Sequence, residues 1–77
     1  NASLVHPRET FSAAISRHAS HIILAHNHPS NDTQPSSQDI ETTRRFLQAG
    51  KILGIELADH IIVSQTGFLS FKEKHLL

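Results

Sequence analysis

The chain has no cysteine, methionine, tryptophan or tyrosine, and four phenylalanines are all it holds of the large aromatics. Without cysteine it can form neither a disulfide nor a thiolate metal site. That removes the disulfide-stapled secreted scaffold and the cysteine zinc finger. Charge of one sign is missing too: seven Lys+Arg balance seven Asp+Glu, for a formal net charge of zero. A neutral domain exerts no broad pull on nucleic acid or on an anionic membrane, so charge does not support a nucleic-acid partner. Long hydrophobic runs are absent as well. Ile22–Ala25 and Ile61–Val63 fall far short of the ~20 residues that cross a bilayer. The text at Asn1 does not read as a signal peptide, and the expectation is a soluble cytoplasmic domain. Seventy-seven residues suffice for one domain, 1–77. A chain of that size buries only about 60% of its unfolded surface and gains from a metal or a partner.

Histidine, by contrast, is abundant. There are seven, and His18, His21, His26 and His28 fall within eleven positions. Imidazole is the commonest metal ligand and titrates near neutrality. Most of the seven are expected to be ordinary surface or core-edge residues, His6, His18, His21 and His75 among them.

The periodicity organises the rest. Residues 1–5 read as the end of a strand. Pro7 and Glu9 suit a helix start, and Phe11, Ala14, Ile15 and His18 recur at helical spacing, predicting a helix over roughly 8–19. His21–Ala25 is a continuous apolar run, expected as an interior strand covered on both faces. Asn27–Pro35 is a loop by composition. Ser36 caps a second helix that carries Ile40, Thr43, Leu47, Gly50 and Leu53 on one face, with Phe46 beside it, and Gly54 ends it. Residues 55–64 read as a strand in strict alternation. Ile55, Leu57, Asp59, Ile61 and Val63 share one face; Glu56, Ala58, His60, Ile62 and Ser64 share the other. Gln65-Thr66-Gly67 turns into a last strand over Phe68–Phe71, and Lys72–Leu77 is a short helix or tail. Strands alternating with helices indicate an α/β fold with a partly parallel sheet. So few strands cannot cover an interior one, so one or more further strands are expected before Asn1.

The chemistry concentrates between His26 and Asp39. On an extended strand, residues i and i+2 point to the same side, so His26 and His28 can reach one ion. They stand at the strand's carboxyl end, where α/β sheets place their ligand sites. After a proline-stiffened loop, Asp39 offers a carboxylate in the first turn of the next helix. Two neutral imidazoles and one carboxylate leave a fourth tetrahedral position for water, as catalytic zinc requires. Iron or manganese could use the same set. A structural reading competes: Ser36-x-x-Asp39 is also a capping box, and one oxygen of Asp39 cannot easily serve both a backbone amide and a metal. His26-Asn27-His28 is no HNH nuclease motif, because that family's residues are dispersed.

His26-x-His28, seven residues, Ser36, two residues, Asp39 resembles the JAMM (MPN+) metalloprotease motif at every position. The longer text resembles the bacterial RadC family: Val5-x-Pro7-Arg8-Glu9, Ile22–Ser30, Pro35-Ser36-x-x-Asp39, Asp59–Val63 and Ser70-Phe71. The resemblance covers nearly the whole chain. It implies an α/β/α layered, mixed-sheet fold similar to cytidine deaminases, here without its first strand. It implies zinc on His26, His28 and Asp39, with Ser36 as the catalytic donor to the developing oxyanion. The substrate class it implies is a peptide or isopeptide. The family's proton-shuttling glutamate sits on an upstream strand and has no counterpart here. Glu9 belongs to a helix start, and Glu41, Glu56 and Glu73 follow the motif. The 77 residues alone are therefore expected to be inactive or nearly so, since loss of a general base costs ~10²–10⁴ in rate.

Two other functions compete. One is a non-catalytic accessory module in DNA repair or recombination, after the family's name. The other is a nuclease or deaminase on a related fold; a deaminase would need His-x-Glu and cysteine ligands, which are missing. Asp59, a carboxylate on an apolar face, needs partners. Arg44 and Arg45 read as a solvated helix face. An open sheet edge is expected to favour self-association.

Overall fold

In the computed structural model, residues 6–29 and 32–77 are described. The strand expected over residues 1–5 lies outside them. The elements are α1 (Pro7–Ser16), β1 (His21–Asn27), α2 (Ser37–Leu53), β2 (Glu56–Val63) and β3 (Phe68–Ser70). The sheet order is β1-β2-β3, with β1 and β2 parallel and β2 and β3 antiparallel. This is an α/β fold with a mixed sheet, as expected.

Helix α1 begins where Pro7 fixes the first turn, and His6 Nδ1 accepts the Arg8 amide at 3.0 Å. It ends at Ser16, short of residue 19, because His18 takes a left-handed backbone (φ 56°). Phe11 and Ala14 are buried, whereas Ile15 faces outward. Helix α2 starts on a complete capping box and ends on Gly54, whose φ of 75° suits a residue without Cβ. Its buried face is Asp39, Thr43, Phe46 and Gly50. The stripe is thus rotated from the expected one: Phe46 is central, and Ile40 and Leu53 are exposed. Gly50, common to both stripes, lets the Ile55 backbone approach and accepts the Ile55 amide at 3.0 Å. A Cβ there would lie 2.2 Å from the Ile55 carbonyl oxygen. In an open helix Gly→Ala would stabilise by ~1 kcal/mol. Here Gly50→Ala is expected to destabilise by roughly 1–3 kcal/mol, the usual cost of overpacking. A urea midpoint at or above wild type would contradict the close approach.

Phe11, Ala14, Phe46, Ile55 and Leu57 form the core, with Ile22 and Leu24 packed against it. Strand β1 corrects one expectation. Among the described residues it lies at the sheet edge, with β2 central. Ile22 and Leu24 are half-buried, but Ile23 is 61% exposed. Both helices give their side chains to the core on the Ile22 side, so among the described residues no layer covers Ile23.

Strand β2 corrects another. Ile22 pairs with Leu57, yet Ile23 pairs with Asp59, so Ala58 is an extra residue. The bulge reverses the alternation. Leu57 faces the core before it; His60 and Ile62 face the core after it. The Ser64–Gly67 turn closes with the Ser64 amide on the Gly67 carbonyl at 2.8 Å. Beyond β3, residues 71–75 form turns, not a helix. Phe71, expected in the last strand, lies just past it and is fully buried.

Candidate metal centre

Two elements meet at the carboxyl end of β1. The pleat of β1 turns His26 and His28 to the core side, and the capped first turn of α2 presents Asp39 between them. His26 Nε2 lies 3.2 Å from Asp39 Oδ1, and His28 Nε2 lies 3.2 Å from Asp39 Oδ2. The three side chains are mostly withdrawn from solvent, at 22%, 17% and 6% exposure. One ligand atom from each falls within 4.8 Å of the others.

The capping box and the ligand set coexist by dividing the carboxylate. Oδ2 accepts the Ser36 amide at 2.8 Å, while Oδ1 faces His26. Ser36 Oγ in turn accepts the Asp39 amide at 3.0 Å. Burial pushes the Asp39 carboxyl up, but the Ser36 contacts, the nearby His26 and the His28 bond together hold it below its usual 3.8. It is therefore an anion at neutral pH.

The donor set fits a divalent ion. Around a tetrahedral zinc with ~2.0 Å bonds, neighbouring donors stand about 3.3 Å apart, close to the 3.2 Å between His26 Nε2 and Asp39 Oδ1. His28 Nδ1 lies 3.0 Å from the Asp32 carbonyl, which can only accept, so this nitrogen carries the proton. With the ring proton on Nδ1, Nε2 is the nitrogen that can face an ion. A ring proton handed to a backbone carbonyl is also how ligating histidines are commonly oriented.

A family model described as a RadC-like JAB domain matches residues 1–76. This chain belongs to the RadC family. It is 59% identical over 76 residues to UPF0758 protein STH371 of Symbiobacterium thermophilum, covering 99% of this chain and 32% of that one. It is 56% identical over 77 residues to a UPF0758 protein of Alkaliphilus metalliredigens, covering 100% and 33%. It is 57% identical over 74 residues to UPF0758 protein TTE0897 of Caldanaerobacter subterraneus, covering 96% and 32%. The chain thus spans about a third of the length of these curated RadC relatives.

The RadC site includes one residue that strict alternation had turned away. The bulge brings His60 to the core side, 3% exposed, with its Nε2 3.0 Å from His26 Nδ1. Its ring stacks on Phe71 at 4.5 Å between centroids. Burial, then the neighbouring His26, lowers its pKa below the usual 6.5, so it is neutral at physiological pH. The gathering of His26, His28 and Asp39 and the Ser36–Asp39 capping box were expected from spacing; the His26–His60 contact was not.

Asp59 finds its partners at the RadC chain's other turn. It accepts the Ser70 hydroxyl at 2.5 Å, the His60 amide at 2.7 Å and the Lys72 amide at 3.0 Å. It thereby ties β3 and the following turn to β2. Burial raises its pKa, but these hydrogen bonds outweigh that and hold it below 3.8. A depressed folded-state pKa gives stability that is present above the unfolded value and lost as pH falls through the folded one. The stability gap between wild type and Asp59→Asn is therefore expected to narrow as pH drops below 3.8. Parallel urea titrations at neutral and acid pH check this; a gap that widens in acid would contradict it. Arg44 pairs with Glu41 at 3.1 Å on an exposed face, as a solvated pair should. Among the described residues, no helix is long and apolar enough to cross a membrane.

Proposed function

We propose that His26, His28 and Asp39 hold a zinc ion and that the whole protein is a hydrolase of peptide or isopeptide bonds. The observation that carries this is the convergence of two imidazoles and one carboxylate, one donor atom from each within 4.8 Å of the others, on a motif that resembles the JAMM set. When bound, zinc supplies Lewis acidity, polarising a carbonyl and acidifying a water. Three protein ligands leave a coordination position open for that work.

The chain's own residues have separable tasks. Asp39 Oδ2 stays with the helix cap, so Oδ1 is the oxygen assigned to the ion. Ser36 Oγ accepts the cap, but its own hydrogen is not committed to it. Ser36 is exposed at the rim of the site, where that hydrogen can be donated to the oxygen that gains charge as a carbonyl is attacked. A cleft of about 340 Å³ beside His28, bordered by Asn27, Pro29, Val63 and Gln65, offers room for a chain next to the ligands. A larger one, about 610 Å³, opens beside His21 and Gly54 at the opposite end of β1 and takes no part. Asp39 is the one carboxylate of the ligand group. The proton shuttle is, by the resemblance, a glutamate on an upstream strand.

The test is cleavage of peptide and isopeptide libraries by zinc-loaded, full-length protein. Ser36→Ala is expected to retain zinc and slow turnover by about 10²–10³, the usual effect of one oxyanion donor. Equal turnover in wild type and Ser36→Ala would remove Ser36 from the mechanism. Zinc binding without cleavage of any library member would favour a non-catalytic role in DNA repair.

A further inference from the structure

We infer that Thr43 and His60 form a hydrogen-bond relay that holds His26 in the Nδ1–H tautomer, leaving its Nε2 lone pair to the ion. This rests on the metal reading above and deepens it by assigning two positioning residues. The relay starts at a group whose direction is fixed. The Asp39 carbonyl can only accept, and the Thr43 hydroxyl donates to it at 2.9 Å. A hydroxyl has one hydrogen, so toward His60 Nδ1, 2.6 Å away, the same oxygen accepts. His60 therefore carries its proton on Nδ1. A neutral imidazole with Nδ1–H has only a lone pair on Nε2. That lone pair meets His26 Nδ1 at 3.0 Å, so His26 must be the donor. With the Thr43 hydrogen on the Asp39 carbonyl, each later step follows from the one before.

Phe71, stacked 18° from parallel on His60, keeps the ring from turning its nitrogens elsewhere. Among the described residues no buried side-chain nitrogen or oxygen lacks a partner, so the chain of bonds is saturated. Its two ends are both ligands. It begins on the Asp39 peptide and finishes on the His26 ring, while His28 is oriented separately by the Asp32 carbonyl.

The experiment reads imidazole tautomers by long-range ¹⁵N–¹H spectra of histidine-labelled full-length protein without metal, assigned with His26→Gln and His60→Gln. It then titrates each variant with zinc alone by calorimetry. Wild type is expected to show Nδ1–H at both His26 and His60. Thr43→Val removes the acceptor that holds the His60 proton. His60 is then expected to move its proton to Nε2 and drive His26 to the Nε2–H form. Zinc affinity should fall about 10–100-fold, as for other partners that orient ligands. His60→Leu should lose affinity similarly, whereas in His60→Gln the amide oxygen can still accept from His26 and should restore most of it. His26 found as Nε2–H in wild type would overturn the relay, as would unchanged tautomer and affinity in folded Thr43→Val. Wild type that shows the expected tautomers but binds no zinc would leave the relay standing and sink the metal reading instead.

Discussion

Asp39→Asn is expected to abolish zinc binding while leaving helix α2 in place. The substitution keeps an oxygen that can accept the Ser36 amide, so the cap survives with a loss of at most ~1 kcal/mol. It removes the anion that balances two imidazoles around a dication. Removing a residue that merely orients a ligand costs 10–100-fold in affinity, and loss of a ligand itself should exceed ~100-fold. Asp39→Ala would remove cap and ligand together, so the asparagine variant is the sharper probe. Calorimetry with zinc, beside thermal melts of the metal-free protein, separates the two roles. Wild-type affinity in Asp39→Asn would mean that the carboxylate serves the helix alone.

Phe46→Ala is expected to remove much of the domain's stability. Phe46 is fully buried in the centre of α2, with its ring 5.6 Å from that of Phe11. Truncating a buried Phe typically costs 3–5 kcal/mol. At roughly 0.05–0.15 kcal/mol per residue, 77 residues hold about 4–12 kcal/mol in all. The variant should therefore unfold at far lower urea or be unfolded outright at physiological temperature. A loss under ~1 kcal/mol would show that the packing around Phe46 is not what holds α2 to the sheet.

The ligand triad was legible in sequence because each of its constraints is local. Strand alternation pairs His26 with His28, and cap spacing pairs Ser36 with Asp39; neither requires knowledge of a distant residue. Gly54 was legible for the same reason, since helix ends have a residue preference of their own. His60 was not. Its inward turn depends on one extra residue opposite Ile22 and Ile23, and no composition near Ala58 announces it. Strand β1 misled differently: a short apolar run looks the same whether one face or both are covered. The rotated face of α2 was hidden because it buries the Asp39 carboxylate and leaves Ile40 and Leu53 outside, the reverse of what a hydrophobic pattern scores. Asp59 was recognised as needing partners, but Ser70 and the Lys72 amide come from beyond a turn.

The extra residue at Ala58 and the bulge that absorbs it are kept or lost together. Flattening the bulge at constant length would put every residue after it, up to the turn, on the other side. Asp59 and Ile61 would point inward, while His60 and Ile62 would face away from the core. An acid would turn toward the core and the imidazole would leave His26. Deleting Ala58 would instead leave Leu57, His60 and Ile62 on the core side, now in plain alternation. By contrast, an exposed position such as Glu56 can change its side chain without moving any neighbour. Over long divergence this strand is free to drift in what it is made of, and can shed its extra residue only by shedding the bulge with it.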